Sequence, residues 1–363
     1  MKKPDKNADV RDVDRDEVPG GRKKLVWTVL FIVIAAATVW AVVSHSKAFT
    51  AESFFSYIAD ASKPWLIAAV ISAFGFVFFE GEAIAYICRA LGCNIRHRKG
   101  LVYSASDIYF SGITPSASGG QPMCAYFMIR DGIPASVTTA ALLINLTMYT
   151  FSILFISLFT IIVQPDIFLS FGILSKILIV AGYIIQCFLA VLFLLLLLKN
   201  DFLHRICRNA LHFLCRIKLI RHEEEKQRKL DVHMEEFADC AAMLTRRKKV
   251  LVAAFIYNVL QRMAYISVPL FVYLASGGTL ANAVRILTVQ SYVVIGSNAV
   301  PIPGAMGVSD YIMLDGFGRM MPYQSAVNFE LLSRTLSFYV CIIFCGSVVL
   351  AKCLKQRTRR RKN

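Results

Sequence analysis

Charged side chains stand inside long apolar runs of this sequence: Glu80, Glu82, Asp107, Arg262, Arg285, Asp310, Glu330 and Arg334. A charge at the centre of a membrane helix costs about 2.5 to 3.5 kcal/mol on insertion scales, so it persists where it pairs or binds something. Arg262 is near the middle of its apolar run, where snorkelling is hardest, and is the expected phosphate ligand. Arg285 lies closer to an interface, so phosphate contact and simple anchoring both stay open. Asp310 is the favoured acid; it would hold a lipid amino group or neutralise Arg262. Glu330 and Arg334 are four residues apart on one helix face and are expected to form a structural ion pair. For Glu80, Glu82 and Asp107, burial beside Arg89 or near the interface stands as an alternative to binding.

Two proline- and glycine-rich breaks accompany these charges. One reads SGITPSASGGQP over residues 111–122, the other VPIPGAMGVSD over residues 300–310. Irregular backbone at membrane depth is tolerated only where protein or a water-filled cavity satisfies its polar groups. A helix starting just after a glycine turn also presents unpaired N–H groups and its positive dipole end, which suits a phosphate. The expected substrate-binding set is therefore Ser116, Ser118, Gly119, Gly120 and Gln121 at the first break. Pro301, Pro303, Gly304, Gly307 and Asp310 form it at the second. Arg262 joins both, with Glu80, Asp107 and Arg285 as secondary candidates. Ser118 is expected to cap the first following limb and Ser309 to sit in the opening turn of the second. The competing reading is that these glycines only permit close helix packing.

The elements that position these residues are membrane helices. Hydrophobic residues make up 56% of the chain and the mean hydropathy is +0.57. The net charge of +16 is concentrated in residues 22–24, 89–99, 199–249 and 355–362, which flank apolar runs. That is the positive-inside pattern, and it argues for membrane topology rather than nucleic acid as the reason for the basicity. With the basic segments cytoplasmic, full crossings are expected at residues 25–43, 65–91, 135–163, 167–198, 250–275 and 326–350. Both termini are then cytoplasmic in a multi-pass cell-membrane protein.

Residues 101–130 and 281–320 are left over, and each contains one break. The first is bracketed by basic residues and the second by Gly277-Gly278 and Pro322. Each is expected to be a re-entrant helical hairpin, and the two have opposite orientation, a transporter-like arrangement. Full crossing by every limb is the alternative. The fold class is thus an all-α polytopic membrane protein of about six spans and two broken hairpins. Residues 1–24 form a disordered leader, 25–199 and 250–354 two membrane halves, 200–249 a cytoplasmic amphipathic linker and 355–363 a basic tail.

The paired motifs, in this order and in an all-helical membrane chain, resemble the lysylphosphatidylglycerol synthase transmembrane family. That family includes the membrane half of the multiple peptide resistance factor. Residues 301–310 are similar to its Pro-x-Pro-Gly-Gly-x-Gly-x-x-Glu pattern, except that Ala305 replaces the second glycine and Asp310 the glutamate. The resemblance implies a flippase-like protein that moves lysylphosphatidylglycerol or a related lipid between leaflets, contributing to surface charge and cationic-peptide resistance. In complete family enzymes a soluble domain transfers lysine from lysyl-tRNA to phosphatidylglycerol. Neither residues 355–363 nor 200–249 has the size of such a domain, so translocation is expected rather than synthesis. A membrane component of phosphatidylglycerol lysyltransferase, or a transporter of another polar or isoprenoid-linked substrate, is the alternative.

The expected partners are a membrane phospholipid and a separately encoded lipid synthase docking on residues 200–249; no nucleic acid is expected. No cofactor is expected, since the chain has no P-loop. Nor is a metal: the cysteines lack a Cys-x-x-Cys pair and the histidines of residues 204–233 lack zinc spacing. No catalytic residue is assigned.

Overall fold

The computed structural model describes residues 51–114, 118–216, 223–298, 300 and 302–362. These lie within the compact unit of residues 46–363. The expected leader and first span, with Ser116 and Pro301, lie outside the described residues. Every regular element among the described residues is helical: α1 (Ala51–Asp60), α2 (Lys63–Ala90), α3 (His97–Ile113), α4 (Gly120–Arg130), α5 (Ala135–Val163), α6 (Pro165–Ser170) and α7 (Ile173–Leu198). They continue as α8 (Asn200–Arg216), α9 (Glu223–Arg246), α10 (Lys248–Ala275), α11 (Ala283–Asn298), α12 (Val308–Phe317), α13 (Tyr323–Arg334) and α14 (Cys341–Lys362). Among the described residues, five helical stretches are long and apolar enough to cross a membrane: α2, α5, α7, α10 and the continuous run Tyr323–Gln356. The outward faces of α5 and α7 expose Phe159, Ile162, Ile184 and Phe188, while Asn145, Gln186, Asn258 and Gln261 are buried. An apolar outside around a polar inside is the solution for a protein solvated by lipid.

Prolines start several helices where no backbone N–H is needed: Pro64 in α2, Pro165 in α6, and Pro134 and Pro322 at the caps of α5 and α13. One boundary differs from expectation. The third described span begins at Ile173 rather than 167, because Gly172 leaves the helix and gives its N–H to Asp315 Oδ2 at 2.7 Å. A second difference is the π-helical segment Thr335–Val340 joining α13 to α14, which the apolar pattern does not foretell.

Contacts at the two ends of the bundle define the path. At the basic end, Lys352 Nζ donates to Asp131 at 2.6 and 2.8 Å, and Arg247 donates to Ala90 O at 3.0 Å. At the far end, Ser62 N–H donates to Ala275 O at 2.8 Å, and Asn328 donates to Ser53 Oγ at 2.9 Å. The five spans therefore alternate in direction. Tyr103 near the start of α3 donates to Asp131 just after α4, at 3.1 Å, so α3 and α4 form a hairpin entering from the basic end. Gly296 packs on Ile312 and Gly316 on Val289, so α11 and α12 form a hairpin entering from the far end. The short limbs α4 and α12 have 11 and 10 residues. At about 1.5 Å per residue they are roughly 15–17 Å long, about half of the roughly 30 Å of hydrocarbon, so neither helix is long enough to cross it.

Candidate functional site

Both hairpin tips reach one cavity of about 530 Å³. The first tip contributes Ser111, Gly112 and Gln121, and the second Asn298, Gly304, Ala305 and Ser309. Its walls carry Glu80, Asp107, Tyr149, Gln261, Arg262, Gln290 and Arg334. The volume suits a headgroup-sized ligand.

Arg262 is 7% exposed and lies among aromatic rings. Its guanidinium carbon is 4.2 Å from the Tyr149 ring centre, 5.7 Å from Phe76 and 5.9 Å from Tyr265. Such faces hold a desolvated cation by about 2 kcal/mol without neutralising it. Its Nε has no hydrogen-bond partner, and no carboxylate among the described residues forms an ion pair with it. Glu80 lines the same cavity without forming an ion pair with it. A buried guanidinium so placed has donors to offer a phosphate.

Asp310 has a different setting. Its Oδ1 pairs with Arg334 Nε at 2.9 Å and its Oδ2 accepts the Gly307 N–H at 2.8 Å. Arg334 also donates to Gly304 O at 3.2 and 3.3 Å. The expected Glu330–Arg334 pair is thus replaced by Asp310–Arg334, because the second tip folds back onto the last span and offers Arg334 a carboxylate and a carbonyl together. Asp310 likewise does not neutralise Arg262. Glu330 also approaches Asp310, and its Oε1 has no partner.

Backbone geometry explains the second motif. Gly304 and Gly307 have φ of 60° and 79°, and a Cβ on Gly304 would collide with the Phe338 ring. Ala305 shares the left-handed region at φ 50°, a conformation costing roughly 1–2 kcal/mol for a residue with a Cβ. Pro303 opens the 3-10 turn Pro303–Ala305, and Ser309 sits in the first turn of α12 as expected. At the first tip the N-cap of α4 is Gly119, not Ser118, which is exposed. Gly119 N–H donates to Thr114 Oγ1 at 2.9 Å, so the chain turns one residue later than a Ser118 cap requires. A Cβ on Gly120 would fall onto the Asp107 carboxylate, and Gln121 Nε2 donates to Asp107 Oδ2.

Glu80 and Asp107 both face the cavity. It is Glu82 that pairs with Arg89, at 2.8 Å, and meets His97 at the basic end. Arg285 is exposed in the first turn of α11 and does not line the cavity.

The family model described as Lysylphosphatidylglycerol synthase TM region matches residues 26–345. The chain belongs to this family. No curated protein and no solved structure matches it. The match covers both broken motifs and every residue of the cavity wall named above.

Three neutral side chains of the site, Tyr149, Gln261 and Asn298, are not among the candidates drawn from the sequence. Tyr149 forms the face under Arg262 and donates its hydroxyl to Asn298 Oδ1 at 3.1 Å. Gln261 donates to Glu80 Oε2 at 3.0 Å, and Asn298 donates to Gln186 Oε1 at 3.1 Å. The available signal was the recurrence of Asn and Gln inside apolar runs, which carry no charge but still cost about 2 kcal/mol or more each to bury unpaired.

Proposed function

We propose that this family member moves a polar-headgroup phospholipid, lysylphosphatidylglycerol or a close relative, between the leaflets of the cell membrane. The observation that carries this reading is Arg262, a buried cation with an unpartnered donor at the meeting point of two opposed hairpins. In the proposed cycle the lipid phosphate binds the Arg262 guanidinium, the polar headgroup occupies the cavity, and the acyl chains stay in the surrounding lipid. Each tip controls access from the end its hairpin enters, which is the logic of alternating access around a fixed central site. The basic end is assigned to the cytoplasm by the positive-inside rule, with both termini there. A separately encoded synthase would deliver the lipid at that face.

The test is reconstitution of the pure chain in liposomes carrying leaflet-resolved lysylphosphatidylglycerol and phosphatidylglycerol probes. Faster exchange than in protein-free vesicles is the expected result. Unchanged exchange would count against translocation, and lysine transfer from charged tRNA by the pure chain would instead establish the lysyltransferase reading.

A further inference from the structure

The cavity wall holds two carboxyl groups that the phosphate site does not use. Glu80 is on α2 and Asp107 on α3; they are 7% and 6% exposed. Glu80 Oε2 accepts from Ser104 Oγ at 3.4 Å, one turn before Asp107 on the same helix, and both carboxyl groups line the same cavity. Neither has a Lys, Arg or His within ion-pair distance among the described residues. Two buried carboxylates in one cavity wall are stable together only with a cation beside them, whether a proton or a metal ion. A second observation points the same way. Gln261, 2% exposed, lines the cavity and gives its amide N–H to Glu80, and its own Oε1 is buried without a partner. Carboxylate and amide oxygens together are the donor set of a hard cation.

We infer that Glu80, Asp107 and Gln261 form a binding site for one monovalent cation, H⁺ or Na⁺, that couples ion movement to movement of the first hairpin. The site joins three elements: Glu80 belongs to span α2, Gln261 to span α10, and Asp107 is bonded to Gln121 in the first turn of α4. With the cation bound, α3 and its tip are held against α2. Without it, two like charges face each other in a low-dielectric wall and push the hairpin away. The other titratable groups facing the pair are Arg262 on α10, Tyr149 on α5, Cys124 on α4 and Cys345 on α14. This inference uses the lipid reading only for what is coupled, since cation binding is measurable without any lipid assay.

The experiment is thermal unfolding of the purified full chain in detergent, across pH at fixed N-methylglucamine chloride, then at fixed pH with NaCl replacing it. A ligand bound only by the folded state raises the melting temperature. A proton site predicts a rise of several degrees on acidification with no response to Na⁺; a sodium site predicts a rise with NaCl over N-methylglucamine. In either case Glu80→Gln and Asp107→Asn each remove most of the response. Wild-type protein insensitive to both cations, or a response intact in both variants, would overturn the inference. Infrared difference spectra of the wild type over the same pH series, read at the protonated-carboxyl band, serve if a variant fails to fold; no titrating carboxyl band together with no Na⁺ effect rejects the site. Cation binding without lipid exchange would reject the lipid reading and leave this one standing.

Discussion

Arg262 is held inside the bundle against three aromatic faces, and those faces leave its Nε donor unpaired. A charge-assisted hydrogen bond to a phosphate is worth about 1.5–3 kcal/mol, and 1.4 kcal/mol is a factor of ten. Arg262→Ala is therefore expected to slow lipid exchange by roughly tenfold or more at unchanged membrane insertion. Arg262→Lys, which keeps charge but loses the planar fork, should fall between. Wild-type exchange rates in both would remove Arg262 from the site. Gly304 gives a second residue-scale expectation. Its φ of 60° and the Phe338 ring leave no room for a Cβ, so Gly304→Ala should destabilise by about 1–3 kcal/mol, seen as a lower melting temperature in detergent. The charged residues of the site were legible because charges stand out in apolar runs. Their pairing was not: Glu330 and Arg334 satisfy the four-residue rule, while Asp310 reaches Arg334 only through the fold-back of the second tip.

At the level of elements, the two hairpins are held differently. The second is tied to the last span by half-buried Asp310, buried Arg334 and the Gly304 carbonyl. Removing one partner of a buried ion pair costs about 3–5 kcal/mol because the other is left charged and alone. Asp310→Asn should accordingly lower thermal stability strongly, and Asp310→Asn with Arg334→Met should recover much of the loss. A double variant no more stable than the single one would show that the pair does not tie the tip. The first hairpin is instead tied to α14 at the basic end through Asp131 and Lys352. The hairpins themselves were readable from proline and glycine breaks between basic or glycine-rich brackets. The π-helical Thr335–Val340, whose Ser337 and Phe338 line the cavity, was not, since no local sequence pattern marks the wider turn.

Over the whole molecule, a spanning helix followed by a broken hairpin and another span occurs twice, entered from opposite ends, and the two leading spans α2 and α10 pack against each other. This layout places the tips at one cavity and makes sidedness testable. With native cysteines removed, a cysteine at Arg130 should react with an impermeant maleimide only from the cytoplasmic side, and one at Ser276 only from outside. Labelling of both from one side would contradict the alternating path. Five of the expected spans and both hairpins were legible in hydropathy and basic clusters because a bilayer enforces length and charge asymmetry on the sequence itself. The neutral amide lining of the cavity was hidden, because Asn and Gln scattered through apolar runs converge only once the helices pack. The most direct measurement of the central claim is the initial rate at which lysylphosphatidylglycerol changes leaflet in vesicles containing wild-type protein, Arg262→Ala protein or none. The account predicts a rate well above the protein-free value for wild type that collapses towards it in Arg262→Ala. Equal rates in all three would contradict it.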